Sequence, residues 1–145
     1  METHKVSQKM HEGLIAPIMQ EERRNIHKGY ILTLTRARDR IAQPGMWFKG
    51  DFGPDPYIWA AENDNKPIEE APYCALGTLN WAASGDAYAM TAYAEELAIL
   101  MGGVYFNEKE IDAISNFNDS PDTQQDDVVA AFDYTIEWLK ENLPS

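Results

Sequence analysis

Asn25-Ile26-His27-Lys28-Gly29-Tyr30-Ile31-Leu32-Thr33-Leu34-Thr35-Arg36-Ala37-Arg38-Asp39-Arg40-Ile41-Ala42-Gln43 is the stretch that decides the fold. Ile26, Tyr30, Leu34, Ala37 and Ile41 recur at i, i+4, i+8, i+11 and i+15. At about 100° per residue they form one narrow stripe, which predicts an amphipathic helix over 25–43. Arg36, Asp39 and Arg40 lie away from the stripe, and Pro44-Gly45 stops the helix. The same spacing returns in Val128, Phe132, Ile136, Leu139 and Leu143, on a last helix expected to start near Thr123. Two such stripes imply one shared core. A second, smaller stripe, Ala131, Tyr134 and Trp138, leaves another face of the last helix for a neighbour or a partner.

Working inward from these two helices, the apolar run Cys74–Ala83 predicts a helix in which Gly77 marks a close helix contact. Gly85 suits a helix end and Asp86 the cap of the next helix, which carries Met90, Tyr93, Leu97 and Met101 and stops at Gly102-Gly103. Asn107 with Glu110 reads as a variant capping box before a short helix with Ile111, Ile114 and Phe117. The fold class expected is mainly α: a single domain of about five helices over 26–145 with a small inserted β-hairpin. The hairpin falls in the Pro- and Gly-rich aromatic segment 44–72, with Tyr57–Glu62 as one strand, Asn63–Lys66 as the turn and Pro67–Glu69 returning on an edge. Residues 1–25 read as a polar tail, or a short docked helix around Lys9–Ile15 stopped by Pro17.

Composition narrows the function classes. A chain of 145 residues, 44% apolar and 25% charged, suits one globular domain. No stretch approaches ~18 apolar residues and no signal-peptide run is present, so no membrane association and a cytoplasmic location are expected. Cys74 is the single cysteine, which excludes an internal disulfide and CxxC chemistry. Net charge is −12 and uneven: residues 1–49 hold nine Lys/Arg against five acids, residues 50–145 three lysines against nineteen acids. Such a surface disfavours nucleic acid and favours a basic protein partner.

Three blocks in order carry a resemblance: Arg36-Ala37-Arg38-Asp39-Arg40-Ile41-Ala42 with Pro44 and Trp47, then Cys74-Ala75-Leu76-Gly77-Thr78-Leu79, then Asn118-Asp119-Ser120-Pro121 through Val128, Phe132, Asp133 and Ile136. Together they resemble the bacterial and phage family catalogued as domain of unknown function 6197, over roughly residues 32–137. That family carries an "ARxLIADPxxW" opening, a "CALGAL" helix start and a "WNDxPGRTHxEVLxLFDxAI" ending. Phe117 stands where the family usually has Trp, and Gln125 where it usually has His. The resemblance implies a fold and no activity. It also supports the hairpin, since the family often reads "DADGRPV" where this chain has Glu62–Ile68, which puts Asn65 at the glycine-like turn position.

The candidate catalytic residue is Cys74, at a helix start where the dipole lowers a thiol pKa. It is weighed against an ordinary buried core cysteine, because the only histidines, His4, His11 and His27, are N-terminal and Gln125 cannot take a proton. Candidate binding residues are Trp47, Phe48, Trp59, Asn118, Asp119, Tyr134 and Trp138. His4 and His11 with Glu12 fit no ligand spacing, and no metal or cofactor is expected. Asp122, Asp126, Asp127 and Asp133 lack EF-hand spacing and read as a solvated flank. The reading that follows is a non-enzymatic acidic binding protein of phage or bacterial accessory origin, with a DNA-mimicking inhibitor of a host defence protein as its sharpest form. Two alternatives stand beside it: a small-molecule binder or enzyme with a pocket near Cys74 and Asp119, and an assembly protein that forms homo-oligomers through Tyr134 and Trp138.

Overall fold

The computed structural model describes residues 16–144. Six α-helices make up the architecture among them: α1 Ala16–Ile41, α2 Pro56–Glu62, α3 Ala75–Ser84, α4 Ala92–Tyr105, α5 Ile111–Asp119 and α6 Gln125–Glu141. A 3-10 turn, Ile68–Glu70, lies between α2 and α3. The expectation of a mainly α fold holds; the count is six rather than five. No strand occurs among the described residues, and the one extended pairing is an isolated parallel bridge between Trp47 and Tyr73.

The core is one cluster fed by five helices. Leu34, Ala37 and Ile41 enter from α1, Leu76 and Leu79 from α3, Leu97 and Met101 from α4, Ile114 from α5, and Val128, Phe132, Ile136 and Leu139 from α6. The two matching stripes therefore meet as the spacing required, and α1 packs against both α6 and α3. Full burial of each large side chain contributes roughly 1.5–3 kcal/mol. Two polar ties lock α1 to α6. Arg38 Nε donates to Asp133 Oδ1 at 2.8 Å. Gln125 Nε2 donates to the carbonyls of Ile41 and Gln43, both at 2.8 Å, and so satisfies acceptors at the end of α1. Helix α3 is buried along seven of its ten residues, which explains its apolar composition on every side.

Several boundaries differ from the sequence reading. Pro17 sits in the first turn of α1, where a missing N–H costs nothing. Every residue from Pro17 to Ile26 is exposed, so this arm of α1 carries Ile18, Met19 and Ile26 in solvent. The docked-helix alternative around Lys9–Ile15 lies outside the described residues. Tyr57–Glu62 is helix, not strand. Asp55 accepts from the amides of Tyr57 and Ile58, and Pro56 fills the first position, a start signal stronger than the alternation. The turn that follows does take left-handed residues, Asp64 at φ 55° and Asn65 at φ 60°.

Helix α4 begins at Ala92 rather than after Asp86. Asp86 caps a local turn by accepting from Tyr88, while Thr91 caps α4 by accepting from Ala94. Gly102-Gly103 lie inside α4, because a side chain at Gly102 would meet the carbonyl of Glu110 at 2.8 Å. Asn107 is no cap; it turns left-handed at φ 56°, and Glu110 precedes α5 without a side-chain bond. Helix α6 has the capping box that the sequence reading placed elsewhere: Gln124 with Asp127.

Candidate functional site

Two places on this scaffold bring predicted residues together. The first surrounds the start of α3. Its leading amides need acceptors, and two side chains supply them. Cys74 Sγ accepts from Gly77 at 3.2 Å, and Asn118 Oδ1, at the far end of α5, accepts from Ala75 at 2.9 Å. The same Asn118 oxygen accepts from Trp47 Nε1 at 2.7 Å. Its amide nitrogen donates to the Phe48 carbonyl at 3.0 Å and to Asp119 Oδ1 at 3.0 Å. Asp119 also accepts from Gly50 at 2.9 Å, and Lys49 Nζ donates to the Ser120 carbonyl at 2.8 Å. Trp47, Phe48, Asn118 and Asp119 thus converge, and Asn118, 1% exposed, has all four of its hydrogen bonds made.

Cys74 and Asp119 do border one cavity, with Gly50, Asp51, Phe52 and Ser115, but its volume is about 140 Å³. That is below the range of ~300–1,000 Å³ of ligand pockets. The helix start does favour the thiolate, through the Gly77 and Leu76 amides, yet burial outweighs it and pushes the Cys74 pKa up to about 11. Among the described residues no histidine stands beside it: Gln125, the expected partner position, faces the end of α1. Gly77 marks a close approach of the Phe52 backbone rather than of another helix; a side chain there would overlap the Phe52 carbonyl.

Trp59 stays apart. Its indole donates to the Pro67 carbonyl at 3.3 Å, and the ring packs on a satellite core of Ala71, Tyr73 and Ala87. Tyr57, 87% exposed, packs on neither cluster. Of the acidic flank, Asp127 belongs to the α6 cap and Asp133 to the Arg38 pair. No cluster of three His, Cys, Asp or Glu able to hold a metal occurs among the described residues.

The second place is a groove of about 610 Å³ between α1, α4 and α6. Tyr30 forms one wall, Ile99, Leu100 and Val104 another, and Trp138 the third, with Glu96 and Lys109 at the rim. Tyr30 donates its hydroxyl to Glu96 at 3.2 Å, and burial first, then this bond, raises its pKa. Tyr134, one turn before Trp138, is exposed and packs edge-on against Tyr105 at 5.5 Å. The sequence had singled out Tyr134 and Trp138 as a second stripe. It missed Tyr30, Leu100 and Val104, because residues lining a groove share the spacing of residues filling a core.

Fold and site together define a mainly helical domain with a hydrogen-bonded polar knot at the start of α3 and an open apolar groove on its flank. The chain belongs to DUF6197, a family of unknown function, whose model matches residues 30–137. No curated protein and no solved structure matches the chain. No helix among the described residues is long and apolar enough to cross a membrane.

Proposed function

We propose that this protein is a non-enzymatic binding module that holds a protein partner in the groove between α1, α4 and α6. The observation that carries the reading is the groove itself. It is larger than the Cys74 cavity and is walled by Tyr30, Leu100, Val104 and Trp138, of which Tyr and Trp are enriched at binding hot spots. Among the described residues no cysteine, serine, threonine or histidine lines it, and its one carboxylate, Glu96, is engaged by Tyr30. The knot at Cys74 supports a structural role: its hydrogen bonds are satisfied and its cavity is small. A chain of net charge −12 with Glu96 at the rim favours a partner segment with apolar anchors and basic flanks. The DNA-mimicking form of the reading rests on the charge alone and predicts a partner that the groove does not select.

The test is affinity capture from a lysate of the source organism with the wild-type chain, Val104→Glu and Cys74→Ser. A basic protein that is retained by wild type and Cys74→Ser, is released as salt rises and is lost with Val104→Glu supports the groove. Capture unaffected by Val104→Glu sinks it and returns the acidic surface as the binding element. A self-associated chain that Val104→Glu makes monomeric, seen by light scattering, replaces the foreign partner with a second copy.

A further inference from the structure

The flank of α1 that meets Trp81 of α3 carries two cations without a counter-ion among the described residues. Arg36 and Arg40 are one turn apart, and each guanidinium lies over the Trp81 ring, at 4.5 and 4.4 Å from its centroid. Like charges at this spacing repel. Neither makes an ion pair among the described residues, although the chain as a whole carries −12. Arg38, between them in sequence, takes both nearby carboxylates, Asp39 and Asp133.

Arg40 is not on a solvent face, as its place off the stripe had implied. It is 9% exposed, covered by Tyr73 and Trp81, and Nη2 donates to the carbonyls of Glu69 and Ala71. Nε is enclosed without a partner. Nη1 makes no hydrogen bond either, and unlike Nε it is not enclosed. Burial, and then the charge of Arg36, lower the pKa of Arg40 against the raising effect of Tyr73. A cleft of about 500 Å³ opens here, lined by Leu32, Thr35, Arg36, Arg40, Gln43, Met46 and Trp81, with Asp39, whose carboxylate pairs with Arg38 at 3.5 Å, also on its wall.

We propose that this cleft binds the carboxylate or phosphate of a small molecule, with the anion between Arg36 and Arg40 Nη1 and its apolar body against Leu32 and Trp81. A planar oxyanion matches the fork of a guanidinium, and stacking on Trp81 holds both forks before a ligand arrives. Thr35 and Gln43 add a hydroxyl and an amide at the rim. An anion there removes the repulsion between the two cations, which is free energy that a neutral ligand cannot gain. The site is separate from the groove on the other face of α1, and either can fail without the other.

Isothermal titration of the full chain with phenyl phosphate, benzoate, inorganic phosphate and neutral benzamide tests it. The expected result is millimolar or tighter binding of at least one oxyanion, and weakening of about tenfold or more in Arg36→Gln, equivalent to ~1.4 kcal/mol. Arg36 is exposed, so this variant leaves the core untouched. Lys28→Gln, which removes a cation that does not line the cleft, retains the affinity. Preference for phenyl phosphate or for benzoate names the headgroup. Equal binding of benzamide, no binding of any anion at about 10 mM, or identical affinity in Arg36→Gln overturns the assignment.

Discussion

Removing the Asn118 side chain should unseat the start of α3, and the structure allows the cost to be worked out. In Asn118→Ala the Ala75 amide loses its acceptor, in a residue that is 0% exposed. The Trp47 indole N–H loses its acceptor and the Phe48 carbonyl its donor, both in half-buried residues that water can partly reach. Asp119 is exposed and rehydrates freely. An orphaned buried group costs ~1–3 kcal/mol and a lost neutral bond about 1, so the sum is about 3–5 kcal/mol. Against a total stability of ~5–15 kcal/mol that is a large fraction. Urea unfolding followed by far-ultraviolet circular dichroism reads it as a lower midpoint at unchanged slope. Trp47→Phe alone should cost about 1 kcal/mol, and the double variant less than the two summed, because both delete one shared bond. A loss below ~1 kcal/mol in Asn118→Ala would refute the reasoning, since the four bonds would then be replaceable by solvent.

Three further outcomes follow from the same geometry. Burial of Cys74, with its pKa at about 11 instead of the ordinary 9.0, should slow labelling by a disulfide reagent at pH 8 about 100-fold relative to the chain in urea; equal rates would contradict it. The same group makes stability pH-dependent: the folded state keeps the proton more firmly, so stability is full below pH 9 and falls by up to about 3 kcal/mol as pH rises toward 11. Tyr88, pushed up to about 12 by burial, continues the decline. Cys74→Ala should flatten the first part of that fall, and a variant titrating like wild type would assign it elsewhere. Gly77→Ala should destabilise by ~1–3 kcal/mol although alanine is the better helix former, because the added carbon overlaps the Phe52 carbonyl; a gain in melting temperature would show that this contact yields.

The long helices were legible because their stripes are long. Five apolar residues at fixed spacing in each of two long stretches predicted one shared core, and Leu34, Ile41, Phe132 and Leu139 lie where that spacing put them, while Ile26 stays in solvent and Leu143 falls past the end of α6. The 44–72 segment was misread because a short apolar run serves strand and helix equally. The deciding signal was Asp55-Pro56, a capping acid followed by a residue suited to the first turn. Of the site, Asp119 was read as part of a polar pocket beside the Cys74 helix start and Trp47, Phe48 and Asn118 as candidate binding residues; that all four meet there and saturate one another is a matter of distances that no spacing encodes. Arg40 shows the other limit. On the wheel it lies off the core stripe, and only the return of Tyr73 and Trp81 over that face buries it.

The solvent-borne arm of α1 has a consequence for how the helix opens. Every residue of Pro17–Ile26 is exposed and none enters the core, so these turns lean on the packed part beyond Tyr30, which has already met the cost of nucleation. Such a segment unwinds from its exposed N-terminal turns like a zipper, one turn at a time, rather than as a unit. Amide hydrogen exchange should therefore slow steadily from Ile18 toward Leu34 without a step, and glycine substitutions along the arm should speed exchange on their N-terminal side while leaving the melting of the body unchanged.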